Sequence, residues 1–191
     1  VTAGGELHPL ERPFFVLATK NPIEMEGTYP LPEAQLDRFM FEILIGYLSE
    51  QEEVKVVQRT TAAESESLQP VFDGTDLLAY QKLVRKMPVA EEVVRYAVRL
   101  AAASRPATAG APEWTHDWIS WGAGTRAGQY LILGAKARAL LTGKTHAGHD
   151  EVRSVAHPTL RHRILLNYKA EADGIRVEDV IDRLLREIKQ T

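Results

Sequence analysis

Residues 21–32, NPIEMEGTYPLP, carry three prolines and a glycine in twelve positions, which rules out a regular element across them. The chain on either side of this loop is apolar. FFVLAT (14–19) precedes it, rich in strand formers, with the pattern of a strand buried on both faces of a parallel sheet. FEILIGY (41–47) follows as a second expected strand. Between loop and strand, Pro32 suits the first turn of a short helix in which Leu36, Phe39 and Met40 recur at i, i+3 and i+4. Two strands cannot cover their own faces and edges, so this α/β piece is expected to be the second half of something larger.

The rest of the chain reads differently. Ser49 and Glu52 form a capping-box pattern that opens a helix through about Arg59, and TTAAESESLQP (60–70) is a polar connection. Beyond it the periodicity predicts helices over 75–87, with Leu77, Tyr80, Leu83, Val84 and Met87 on one face, and over 90–104, with Val93, Val94, Ala97, Leu100 and Ala101. ATAGAPEWTHDWISWGAG (107–124) is turn-rich and holds three tryptophans, with an extended piece expected near 117–121. A long helix follows from Arg126 to Thr142, with Thr125 as N-cap and Gly143 as the residue just past its end. Two more fit 150–163, interrupted near His157-Pro158, and 177–189. The fold class predicted is mainly α with a partial α/β segment, divided into 1–60 and 65–191. The opening VTAGGELHPL has neither an initiator Met nor a charged-then-apolar leader and reads as a hairpin tip turning on Gly4-Gly5, so upstream sequence is expected before Val1.

Composition narrows the function. With 45% hydrophobic and 26% charged residues and no apolar run near the ~18–20 residues of a membrane helix, a membrane span is excluded. Lys+Arg 23 against Asp+Glu 26 gives a net charge of −3, which supplies no overall field for nucleic acid or anionic lipid. The absence of cysteine removes disulfides, thiolate metal sites and thiol nucleophiles, and a cytoplasmic location is expected.

Asn21 stands just past the carboxyl end of FFVLAT, where open parallel sheets bind ligands, and its amide can hold a water or a phosphate oxygen without adding charge. An Asn-Pro turn explains it equally. Arg38 lies about 200° around the helix from Leu36 and points outward, a rigidly mounted cation suited to a neighbour's phosphate, or a solvated arginine paired with Asp37 or Glu33. The pairs His146/His149 and His157/His162 lack the spacing of helical metal ligands and read as surface or packing residues. Arg161, His162 and Arg163 read as a solvated basic face, with the alternatives of pairing acids or meeting a partner. Trp114, Trp118 and Trp121 read as core or interface packing rather than as a stacking platform.

In context these residues resemble a known family. FFVLATKNPIEMEGTYPLPEAQLDRF (14–39) is similar, at nearly every position, to the segment after the Walker B motif in MoxR-type AAA+ ATPases of the helix-2-insert branch. WGAGTRAGQYLILGAKARALLTG (121–143) looks like that family's lid helix, and HPTLRHRILLNYKAEADGI (157–175) like its C-terminal signature. The resemblance implies the end of an AAA+ P-loop core followed by a helical lid. It implies ATP and Mg²⁺ as cofactors, a homo-oligomeric ring, expected to be a hexamer, and chaperone-like maturation of protein complexes with partners that carry von Willebrand A domains. It makes Asn21 sensor 1, Arg38 the arginine finger and Arg126 sensor 2. One departure is the Gly124-Thr125 pair, where the family usually has Ser-Pro. Other readings are a magnesium-chelatase-like ATPase subunit and a non-enzymatic helical interaction module.

A P-loop needs Gly, four residues, then Gly-Lys-Ser/Thr. The one Gly-Lys-Thr, at 143–145, has Arg138 five residues before Gly143, inside the expected helix, so Gly143 reads as a helix terminator. HDEVRSV (149–155) reads as a helix start rather than a Walker B strand. This chain by itself is therefore expected to be inactive.

Overall fold

The structure is a computed structural model that describes residues 2–20, 31–62 and 68–190, apart from the side chain of Ala3. In chain order its elements are β1 (Thr2–Ala3), β2 (Glu6–Leu7), α1 (Glu33–Leu36), α2 (Glu50–Thr60), α3 (Gly74–Lys86), α4 (Glu91–Ala103), α5 (Thr115–Trp118), β3 (Ile119–Trp121), α6 (Thr125–Leu141), α7 (His149–Ser154), α8 (Ala156–Leu160), β4 (Leu165–Leu166), α9 (Tyr168–Ala172) and α10 (Val177–Glu187). The chain is mostly helical. It forms two compact units, Val1–Phe15 with Ile43–Tyr80, and Val16–Glu42 with Gln81–Thr191.

In the first unit, β1 pairs antiparallel with β2, Thr2 opposite Leu7, and Gly4 and Gly5 turn the hairpin at φ +61° and +85°. That is the positive-φ pair a two-residue turn demands. Glu52 accepts the Ser49 N–H at 3.0 Å and so closes the start of α2. Asp73 caps α3 by accepting the Thr75 and Asp76 N–H groups at 2.7 and 2.9 Å, while Asp76 accepts the Asp73 N–H at 3.2 Å.

The second unit has the core. α6 packs against α4, α7 and α8 through Ala127, Gly128, Leu131, Gly134, Ala135 and Ala139. These small residues let helix axes approach closely. α4 contributes Val93, Ala97, Leu100 and Ala101 as expected, with Tyr96 buried beside them, and α10 closes the layer with Val180, Ile181, Leu184 and Leu185. β3 and β4 pair antiparallel, Ile119 opposite Leu166. Past α6, Gly143 at φ +70° donates to Leu140 O at 3.0 Å and Lys144 donates to Ala139 O at 2.9 Å. This paired termination confirms the reading of Gly143 as a helix stop.

Several expectations are corrected. Neither 14–19 nor 41–47 forms a strand, and Leu17, Ile45 and Tyr47 are more than nine-tenths exposed. A strand needs a ladder, and among the described residues the named pairings are β1 with β2 and β3 with β4. The helix expected from Pro32 through Met40 ends at Leu36, beyond which the Arg38 and Phe39 N–H groups donate to Gln35 O and Leu36 O at 3.1 and 3.0 Å, three residues back instead of the four of an α-helix. Pro32 sits before its first turn as N-cap. Of the face predicted for 75–87 only Met87, just past the end of α3, is buried, while Tyr80 and Leu83 are about half exposed. The break in 150–163 falls at Val155, and Pro158 lies in the first turn of α8, where its missing N–H costs no helical bond.

The junction between α4 and α6 is backbone against backbone. Ser104 Oγ donates to Ala101 O at 2.7 Å and accepts the Ala123 N–H at 2.9 Å. A Cβ on Gly122 would lie 2.2 Å from Ser104 O and 2.7 Å from Arg105 Cα, whereas one on Gly124 would meet nothing within 4 Å. Gly122→Ala is therefore expected to destabilise the chain by about 3 kcal/mol in urea unfolding, and Gly124→Ala by less than about 1 kcal/mol.

Candidate functional site

Residues 160–164, LRHRI, hold the segment that carries Arg38. Leu160 and Ile164 are core residues one helical turn apart, and they fix the three basic side chains between them. Arg163 uses its whole fork. Nε donates to Asp37 Oδ1 at 2.9 Å, Nη2 to Asp37 O and Phe39 O at 2.7 and 2.5 Å, and Nη1 to Met40 O at 3.4 Å and to Thr159 O. Five N–H donors therefore meet five acceptors, the full capacity of a guanidinium. His162 Nε2 lies 3.1 Å from Phe39 O, and Arg161 Nη1 donates to Glu42 O at 2.7 Å while its Nε reaches Glu178 at 3.1 Å. The Glu42 N–H in turn donates to Pro158 O at 2.8 Å. The basic triple is thus no solvated face. It pairs acids and backbone carbonyls, and its sequence signal is a run of three basic residues between two apolar residues at i and i+4.

From α6, Arg126 and Tyr130 lie one turn apart and reach the same segment. Tyr130 OH donates to Arg38 O at 3.0 Å, and Arg126 Nη1 bonds Asp37 Oδ2. Asp37, which the sequence reading left as a possible mate of Arg38, is occupied by Arg126 and Arg163. The Arg38 guanidinium is exposed and makes no ion pair among the described residues, while its own carbonyl is anchored. Sequence reasoning missed Asp37, Tyr130 and the role of Arg163. Asn21 lies outside the described residues.

Burial lowers the pKa of Arg163 from its ordinary value, and the Asp37 hydrogen bond and charge oppose that shift. Burial, and next the Arg163 charge, lower the pKa of His162, whose Nδ1 lies 3.9 Å from Glu42 Oε2 and has no hydrogen-bond partner. Phe39 O can only accept, so the hydrogen between it and His162 sits on Nε2, and the lowered pKa favours the neutral ring.

The other candidates are structural. Lys144 bonds Glu151, a buried carboxylate whose pKa that bond lowers, so the Gly-Lys-Thr lysine is engaged at a helix end. His157 Nε2 meets Asp182 at 3.1 Å, and the His149 ring packs edge-on against Tyr96. Trp114 and Trp118 lie 5.1 Å apart with Arg183 over both rings, and Trp114 Nε1 donates to Glu187 at 2.7 Å, whereas Trp121 is 70% exposed and lies outside the core. Among the described residues no group of three or more His, Cys, Asp or Glu could hold a metal ion, and no helix is long and apolar enough to cross a membrane. Arg38 and Arg126 are both exposed, and a guanidinium is a group suited to an anion, though Arg126 is bonded to Asp37.

Comparison with known proteins relates the chain to one family by sequence and by fold. Residues 1–41 match the ATPase family associated with various cellular activities (AAA), and residues 111–184 match the AAA lid domain. The chain is similar to chaperone MoxR1 of Mycobacterium tuberculosis, 39% identical over 98% of this chain and 50% of that protein. It is similar to uncharacterized protein YeaC of Bacillus subtilis, 34% identical over 99% of this chain and 57% of that protein. A crystal structure of a proposed ATPase from Cytophaga hutchinsonii superposes with a TM-score of 0.91 at 39% identity, covering 99% of this chain and 58% of that one. The chain thus spans little more than half the length of these relatives.

Two outcomes follow from the cradle. Arg163→Met removes the charge opposite Asp37 and five donors to buried acceptors, and is expected to cost about 3–5 kcal/mol in urea unfolding. A folded-state pKa below the unfolded value means that His162 takes up its proton more readily when unfolded, so its contribution is present above about pH 6.5 and is lost as pH falls below it. Unfolding free energy is expected to fall between about pH 7 and pH 5, and less steeply in His162→Gln, which keeps a donor for Phe39 O but does not titrate.

Proposed function

The chain belongs to the MoxR-type AAA+ ATPases, and from that membership we propose that the whole protein hydrolyses ATP in a ring and acts as a chaperone-like machine. In this reading residues 1–60 close the nucleotide-binding core and residues 65–191 form its lid. Asn21 orients the water that attacks the γ-phosphate. Arg38 is the arginine finger and reaches the ATP of the adjacent subunit, and Arg126 is sensor 2, a lid contact to phosphate. Phosphoryl transfer asks a protein mainly for positioning and for charge opposite the developing negative oxygens, which is what an asparagine and two arginines supply. Mg²⁺, when bound with ATP, neutralises the β- and γ-oxygens. The described residues of this chain do not form a cluster for it.

The observation that supports this reading most directly is Arg38. It is exposed and makes no ion pair among the described residues, and it stands on a backbone that four lid side chains hold in place. A finger needs that combination of a free charge and a fixed base, since misplacement by about 1 Å can cost 10²-fold in rate. The ring is proposed to be a cytoplasmic hexamer that matures or assembles client complexes, with partners carrying von Willebrand A domains. The 191 residues contain no P-loop sequence and are proposed to be inactive by themselves.

In the full-length protein, Arg38→Ala is expected to lower the hydrolysis rate by ~10³–10⁵ while calorimetric titration still shows ATP binding. Undiminished hydrolysis by that variant, with ATP bound, would overturn the finger assignment.

A further inference from the structure

Asp37 has two cationic partners of different kinds. Arg163 is permanent. Its side chain is 1% exposed, and each N–H not given to the Asp37 carboxylate is committed to a backbone carbonyl. Withdrawing it would strand both a buried guanidinium and the carbonyls of the 37–40 segment. Arg126 is different, because 42% of its side chain is exposed and its one hydrogen bond among the described residues is to Asp37 Oδ2. It can leave without orphaning Asp37, whose charge remains matched by Arg163. A phosphate oxygen, more strongly charged and equally suited to a guanidinium fork, is the competitor able to draw it away.

We propose that Asp37 is a positioning residue for nucleotide binding: its carboxylate is the resting partner of Arg126, which Arg126 exchanges for a phosphate oxygen, and through Arg163 the same carboxylate ties that exchange to the segment presenting Arg38. Asp37 touches no substrate and acts only through Arg126. The inference rests on the ATPase reading above, in which Arg126 meets phosphate. Because Asp37 competes with the nucleotide for Arg126, removing its charge tightens nucleotide binding, and the tightening disappears when Arg126 is absent. A residue that only held the fold together would give weaker binding, or an effect indifferent to Arg126.

The test is calorimetric titration of a non-hydrolysable ATP analogue with Mg²⁺ into the full-length protein. Wild type, Asp37→Asn, Arg126→Ala and the double variant are compared. Asp37→Asn is expected to bind roughly two- to fivefold tighter than wild type, the scale of a partly exposed ion pair, and to give no gain in the Arg126→Ala background. Asp37→Glu serves where Asp37→Asn does not fold: it keeps a charge for Arg163, but its extra methylene displaces the carboxylate from the position shared with Arg126, and the same Arg126-dependent tightening is expected. Equal or weaker binding by the folded Asp37 variants, or a gain that persists without Arg126, overturns the inference and leaves the ATPase reading standing. No binding of the analogue by wild type overturns both.

Discussion

The second unit is organised around one buried cation. A guanidinium is costly to take out of water unless each of its donors is met and its charge is balanced, and Arg163 meets both conditions with the Asp37 carboxylate and four carbonyls. Those requirements shape the polypeptide around it. α1 stops at Leu36, and the carbonyls of residues 37, 39 and 40 that follow it turn to Arg163 and His162. Phe41 is then carried into the core beside Gly134, where any side chain would collide with its ring.

The consequence for charge is an imbalance that has a use. Asp37 is paired with Arg126 through Oδ2 and with Arg163 through Oδ1 and is followed in sequence by Arg38, so two guanidiniums share one carboxylate and a third stands next to it in the chain. What is left over is positive and lies on the exposed members, on a chain whose overall charge is −3. A local cationic site on a mildly acidic protein favours a compact polyanion over an extended one.

Helix positions and stops were legible in the sequence because they depend on neighbours along the chain. The 3.6-residue period located α4 and α10, and Gly143 announced the end of α6 through a conformation that glycine adopts easily. The strands at 14–19 and 41–47 were misread for the opposite reason, since an apolar run reports the wish to be buried but says nothing of whether a ladder partner is at hand. Arg38 was legible as outward-pointing. That Asp37 would not pair with it was not legible, because that depends on Asp37 being claimed by Arg163, which lies 126 residues away in the chain. Arg161, His162 and Arg163 were misjudged as solvated because charge patterning counts side chains and ignores the carbonyls that can bind them.

The grip on residues 37–42 is almost entirely a grip on backbone. Apart from Asp37, Phe41 and Glu42, what the lid recognises is a series of peptide oxygens at fixed intervals, and peptide oxygens are the same in every amino acid. This segment is therefore read as a ruler is read, by spacing and not by lettering. Phe39 and Met40 can be exchanged for other side chains while the carbonyls keep their registration with Arg163. Adding or deleting one residue between Asp37 and Glu42 would instead shift every later oxygen past its donor, so that length, more than identity, is what this part of the chain must preserve.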